Sequence, residues 1–216
     1  MEVFCRMTTV RRADLSCVVQ AGGLSSRMGR DKARMPFCGE PLIERVLGRL
    51  ASVGSELVVT TSRPEELAYL EQLTFGGLHP RVVMDIDGPA GAMRGIASSL
   101  TAAWLPLVAI VACDMPFLSP ELIGTLADRV EGIPLDVCVP REDRGIEPLC
   151  AVWRRESCAP AACELLASDR QRIRCLIDRV HAGYLDEPQI IAAAGSLLCF
   201  ENVNTPEEFA AAELLA

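Results

Sequence analysis

The sequence predicts an α/β fold of three layers: a mostly parallel sheet with helices on both faces and a small antiparallel edge. Two observations carry this expectation. Short apolar runs alternate with helical patterns through the first two thirds of the chain, the pattern of strand–helix–strand units. With 216 residues, half of them hydrophobic, the chain is also long enough to bury roughly 70% of its unfolded surface in one core. It shows no internal repeat. We expect a single domain spanning 1–216, with 1–14 a flexible N-terminal extension.

The elements follow in order. Leu15, Cys17, Val18 and Val19 feed a strand through Gln20, and a second apolar run covers Glu56–Thr61. Between them Leu42, Ile43, Val46, Leu47 and Leu50 fall on one helical stripe behind Pro41, a residue suited to a helix start. Further strands are expected at Val82–Asp85, Leu107–Cys113 and Asp136–Val139. Ser119-Pro120-Glu121 reads as a cap, a proline at the first helical position and an acidic first turn. Residues 141–153 combine a polar turn with an apolar run, which suits an antiparallel addition at the sheet edge. Helices are expected over Ala159–Ala167 and along Ile173, Leu176, Ile177 and Val180, then a short strand Ser196–Phe200. Thr205-Pro206-Glu207-Glu208 closes the chain with a capping box and a helix.

Composition excludes several classes of function. A net charge of −8 argues against nucleic acid, whose binders show a basic face. Ten cysteines contain no Cys-x-x-Cys pair, and Cys17, Cys113, Cys138, Cys150 and Cys199 lie in apolar runs. They read as reduced, buried thiols of a cytoplasmic protein. Residues 1–14 carry arginines but no apolar signal core, and the run Leu105–Cys113 is far shorter than the about 20 residues of a membrane span. No membrane partner is expected. His79 and His181, the two histidines, have no partner at metal-ligand spacing.

Residues 20–32, Gln-Ala-Gly-Gly-Leu-Ser-Ser-Arg-Met-Gly-Arg-Asp-Lys, carry the chemistry. A strand runs into Ala21, Gly22 and Gly23, which clear the backbone N–H groups for an anion. Arg27 then offers a planar fork and Lys32 a point charge to polyphosphate. Five residues stand between Gly23 and Gly29, and Arg30 follows. That is neither a Walker loop nor the Gly-x-Gly-x-x-Gly dinucleotide fingerprint, which excludes a dehydrogenase. Asp114 stands just beyond the apolar run Leu107–Ala112, where α/β sheets bind ligands. There a carboxylate either holds Mg2+ or caps the next helix. Asp85 and Asp87 precede Gly88-Pro89-Ala90-Gly91, where a carboxylate reads from spacing alone as a solvated turn residue. Asn202 and Asn204 alternate along an extended stretch, so their amides share a face.

Ala21, Gly22, Gly23, Ser25, Arg27, Met28, Gly29, Asp31 and Lys32 agree with the loop Leu-Ala-Gly-Gly-x-Ser-x-Arg-Met-Gly-x-Asp-Lys. The chain thereby resembles the molybdenum cofactor guanylyltransferase family, of the glycosyltransferase-A-like nucleotidyltransferase superfamily. Cys113-Asp114-Met115-Pro116-Phe117 resembles that family's second motif, and Asn202-Val203-Asn204-Thr205-Pro206-Glu207 its last. The resemblance implies a Rossmann-like nucleotidyltransferase fold and transfer of GMP from Mg-GTP to molybdenum-loaded molybdopterin, releasing pyrophosphate. It implies Lys32, Arg27 and Asp114 as catalytic residues, with Asp114 the Mg2+ ligand. Gln20, Ala21, Gly22, Gly23, Ser25, Lys32, Thr60, Asp85 and Asp114 would bind nucleotide, and Asn202 and Asn204 the acceptor. Proteins that mature molybdoenzymes are the implied partners.

The chain departs from the family at Gln20, usually Leu, at Thr60, often Asn near guanine, and at Glu147, commonly Gln or His. Either Gly91 or Gly95 fills the family's glycine position downstream, and Arg94 is an added cation. A related transferase using CTP or another phosphorylated acceptor is the first alternative. A non-catalytic nucleotide-binding adaptor is the second.

Overall fold

The computed structural model describes residues 11–22 and 32–216. The first strand, β1 (Arg12–Gln20), begins three residues ahead of the apolar run, so residues 12–14, expected in the extension, belong to the sheet. A 3-10 turn over Lys32–Arg34 leads to a hairpin, β2 (Pro36–Phe37) and β3 (Glu40–Pro41). Helix α1 (Leu42–Leu50) buries all five residues of the predicted stripe. Strand β4 (Gly54–Thr61), the short helix α2 (Pro64–Leu67), β5 (Arg81–Met84), α3 (Ala92–Ala102) and β6 (Leu107–Ala112) follow. Helix α4 (Pro120–Gly132) is capped as expected, the Ser119 hydroxyl accepting from the Leu122 N–H at 3.1 Å.

The second half contains β7 (Val137–Glu142), β8 (Gly145–Ile146), β9 (Cys150–Arg154), α5 (Arg155–Leu166) and α6 (Ile173–Ile177). Strand β10 (Ala182–Asp186), α7 (Glu187–Ala194) and α8 (Pro206–Glu213) complete it. The main sheet runs β10-β7-β9-β6-β1-β4-β5, with β8 hairpinned onto β7. β1, β4, β5 and β6 are mutually parallel, as are β7 and β10, and β9 is antiparallel to both of its neighbours. The antiparallel segment is therefore seated inside the sheet, between β6 and β7, and not at its margin. Cys150, Ala151, Val152 and Trp153 of β9 are fully buried, which an edge strand with one solvated face would not require.

Two apolar layers flank the sheet. One packs α1, α4 and α7 against Cys17, Val19, Val59, Ala109 and Val111. The other packs α3, α5 and α6 against Val18, Val58, Val108, Ile110 and Trp153, the alternation of residues expected of strands buried on both faces. A third cluster of Phe37, Leu42, Val203, Phe209 and Ala212 fastens α8 and the β2–β3 hairpin beside the carboxyl edge. Residues 197–200 form a 3-10 turn instead of the expected strand. The Ser196 hydroxyl accepts from Leu198 N–H, a local bond that offers the backbone a turn where the short apolar run alone was ambiguous.

Among the described residues no disulfide joins the cysteines. Burial pushes the thiols of Cys158 and Cys199 up to about 12, so they behave as inert packing groups. No helix of the described residues is long and apolar enough to cross a membrane.

Candidate active site

Strands β1, β4 and β6 end level with one another, Gln20 lying opposite Thr60 on one side and Ala112 on the other. The backbone beyond them stays stitched together: Ala21 N–H donates to the Thr60 carbonyl at 2.8 Å and Cys113 N–H to the Gln20 carbonyl at 3.1 Å. Three loops are thereby gathered at the carboxyl edge of the sheet.

Lys32, Asp114 and Asn204, taken from the beginning, middle and end of the sequence, meet there. Lys32 Nζ donates to Asp114 Oδ2 at 2.6 Å and to Asn204 Oδ1 at 2.7 Å. The Lys32 and Asp114 side chains are 12% and 21% exposed. Two local devices hold the partners. Val203 is buried and its N–H donates to the Asp114 carbonyl at 3.1 Å, while Asn202 and Asn204 on either side are exposed. The capping box of α8 fixes the neighbouring backbone, with Glu208 Oε2 accepting from the N–H groups of Asn204 and Thr205.

Asp114 Oδ1 is buried and has no hydrogen-bond partner among the described residues, which fits a carboxylate that a cation completes. Among the described residues no group of three or more His, Cys, Asp or Glu gathers to hold a metal ion. The donor set therefore fits an ion such as Mg2+ that takes one or two protein carboxylates and fills its shell with phosphate oxygens and water. Glu147 stands near. Burial first, then the charges of Glu142 and Asp114, raise its carboxyl above the ordinary range.

The remaining expected residues separate into three groups. Gly23, Ser25 and Arg27 lie outside the described residues, as do Met28, Gly29 and Asp31 of the same motif. Gly22 and Asp85 are brought together: a Cβ on Gly22 would lie 2.9 Å from Asp85 Oδ2. Gln20 and Thr60 turn inward, 8% and 1% exposed. Gln20 Nε2 donates to Ser99 Oγ at 3.2 Å, and Thr60 Oγ1 lies 3.5 Å from the same oxygen. The Thr60 hydroxyl thus serves the interface with α3, because residues alternate along β4 and this position shares the face of Val58.

The two candidate glycines have different tasks. Gly91 caps the start of α3 with φ of 154°, a conformation that other residues adopt only with strain. Gly95 lies within α3, and a Cβ there would meet Gln20 Oε1 at 2.4 Å and Cδ at 2.9 Å. Gly95→Ala should therefore destabilise the fold by about 1–3 kcal/mol through overpacking, even though Ala is favoured by about 1 kcal/mol in a helix. In a Gln20→Ala background the same change should become neutral or stabilising. Urea unfolding of the four proteins checks both signs.

Residues 17–183 match the family model of the MobA-like NTP transferase domain. A probable molybdenum cofactor guanylyltransferase of Natronomonas pharaonis is 39% identical over 193 residues, covering 88% of this chain and 93% of that protein. A molybdenum cofactor guanylyltransferase of Desulfosudis oleivorans is 32% identical, covering 91% and 93%. Among solved structures, molybdopterin-guanine dinucleotide biosynthesis protein A from Archaeoglobus fulgidus superposes with a TM-score of 0.78 at 25% identity, covering 93% of this chain and 97% of that one.

Proposed function

The chain belongs to the MobA-like NTP transferases and, among them, to the molybdenum cofactor guanylyltransferase family, and we propose that it transfers GMP from GTP to molybdenum-loaded molybdopterin. The observation that carries this reading is the convergence of Lys32, Asp114 and Asn204 at the carboxyl edge, beside the entrance of the glycine loop.

In the proposed reaction a phosphate oxygen of the acceptor attacks the α-phosphorus of GTP. A new P–O bond forms, the bond to the β-phosphate bridging oxygen breaks, and pyrophosphate leaves with the electron pair. The attacking oxygen is already anionic, so alignment and charge stabilisation supply the catalysis, with no general base needed. Lys32, and Arg27 on the same loop, neutralise charge on the triphosphate, and the amides of Gly22 and Gly23 cradle it. Asp114 would hold Mg2+, which would offset charge on the triphosphate. Asp85, against Gly22, accepts from the nucleoside. Asn202 and Asn204 face the acceptor, and Asn204 also holds Lys32 in line. The absence of disulfides among the described residues suits a reducing, cytoplasmic setting, where proteins that mature molybdoenzymes would receive the product.

Purified protein with Mg2+, each of the four nucleoside triphosphates and molybdenum-loaded molybdopterin, with the product identified by mass, tests the reading. The guanine dinucleotide and pyrophosphate are expected. A specific observation keeps CTP, or another phosphorylated acceptor, as the second reading: Gln20 and Thr60, both departures from the family, are tied to Ser99 inside the fold and leave base choice to other groups. A cytidine product would select that reading. Binding without turnover of any triphosphate would instead identify an adaptor.

A further inference from the structure

Helix α3 carries a polar stripe, Arg94, Gly95, Ser98 and Ser99, at i, i+1, i+4 and i+5 on the face toward the sheet. Each member meets the carboxyl end of a strand or the loop after it. Gly95 and Ser99 receive Gln20 of β1, and Ser99 also lies beside Thr60 of β4. Ser98 Oγ accepts from Ile86 N–H at 3.0 Å, and Arg94 Nη2 stands 3.7 Å from Asp85 Oδ2.

The last pair is electrostatically conspicuous. Arg94 sits in the first turn of α3, which contains no acidic residue, so its charge faces the positive end of the helix dipole. The Asp85 side chain is only 6% exposed, and a carboxylate withdrawn from water is costly unless paired. Each charge is tolerable because of the other. The same oxygen, Oδ2, also faces Gly22, where a methyl group would stand 2.9 Å from it.

We propose that Arg94 is a positioning residue for nucleotide binding: its guanidinium holds the Asp85 carboxylate ionised and turned toward Gly22, where it accepts from the donor groups of a nucleoside. This inference rests on the nucleotidyl-transfer reading above. Arg94 is the titratable group that faces Asp85 from α3. From β4 the neighbour is the Thr61 carbonyl, which accepts Asp85 N–H at 2.8 Å, and after β1 it is the backbone of Gly22. Burial raises the Asp85 pKa, while Arg94 first and then the Ser98 hydroxyl oppose the rise, so losing the guanidinium moves protonation to higher pH with Ser98 still in place.

The test uses Arg94→Gln, Arg94→Lys, Asp85→Asn and the Arg94→Gln/Asp85→Asn double variant. The KM for GTP and kcat come from pyrophosphate release between about pH 5.5 and 8, with Mg-GTP affinity measured separately by calorimetry. Arg94→Gln should raise KM about tenfold near pH 7, the loss of one charge-assisted contact, with kcat little changed. Its acid limb of affinity should begin at higher pH than in the wild type, and Arg94→Lys should restore most of the affinity. In the Asp85→Asn background Arg94→Gln should add nothing, the sign of two residues acting through one contact. Wild-type KM in Arg94→Gln, or an undiminished further loss in the double variant, would overturn the inference. If the wild type itself fails to bind Mg-GTP, the transferase reading falls. If it binds and the variants match it, the positioning role alone falls. Thermal unfolding of each variant separates lost affinity from lost fold.

Discussion

Asp114→Ala is expected to abolish turnover, lowering pyrophosphate release by at least about 10³-fold, because it removes the carboxylate on which both charge-handling elements of the site converge. Asp114 Oδ2 receives Lys32 Nζ at 2.6 Å, and Oδ1 is buried without a hydrogen-bond partner among the described residues. Without the side chain, Lys32 keeps Asn204 alone and a cation loses its protein ligand. Asp114→Asn separates charge from shape: it preserves the volume and one acceptor oxygen but carries no negative charge, so it should be nearly as inactive as the alanine variant. The fold should survive both changes. The residue stands in a turn beyond β6, and the contact that fastens the C-terminal segment uses the Asp114 main-chain carbonyl, which substitution leaves in place. A wild-type rate in Asp114→Ala would sink the assignment of this site.

How much of this was legible in the sequence depends on whether the signal was local. The stripe Leu42–Leu50, the cap at Ser119 and the box at Thr205–Glu208 each use neighbours in the chain, and each element forms as read. The same reasoning extends to Asp186-Glu187-Pro188-Gln189, which forms an equal capping box at the start of α7; that signal was present, and β10 and α7 were missed by leaving it unread. Placing Asp114 beyond a strand and Asn204 before a capped helix was local too, but their meeting at Lys32 was not. Strand order is the clearest case of what stayed hidden: the antiparallel direction was expected, the position between β6 and β7 was not. Nothing within Cys150–Arg154 distinguishes a strand at the margin from one inserted between β6 and β7, because the choice depends on which neighbours offer free hydrogen-bonding edges. Gln20 and Thr60 pose a similar problem. Their period-two alignment with Val18 and Val58 assigns a face, but only the position of α3, with Ser99 and Gly95 on it, makes that face interior. The family resemblance placed both positions at the nucleotide, and it carried no information on the contacts that both side chains make with Ser99 of α3.

Lys32→Ala should cost about 2–4 kcal/mol of transition-state stabilisation, a fall of roughly 30- to 1,000-fold in kcat/KM. Two contributions combine in that figure. The ammonium no longer offsets charge on the triphosphate as the bond to pyrophosphate breaks. In addition the Asp114 carboxylate, now without its cation partner, repels the incoming nucleotide, so KM should rise along with the fall in kcat. Lys32→Arg should rescue poorly. Lys32 Nζ is a compact donor shared between Asp114 Oδ2 and Asn204 Oδ1 with only 12% of its side chain exposed, and a planar fork does not fit where a point charge bridges two acceptors. Because both residues act through one contact, Lys32→Ala/Asp114→Ala should lose far less than the sum of the single losses. Asn204→Ala should fall between the wild type and Lys32→Ala, since it frees the ammonium without deleting it. Single-turnover pyrophosphate release with saturating GTP separates the two contributions, and an unchanged rate in Lys32→Ala would reduce Lys32 to a loop residue that merely neutralises Asp114.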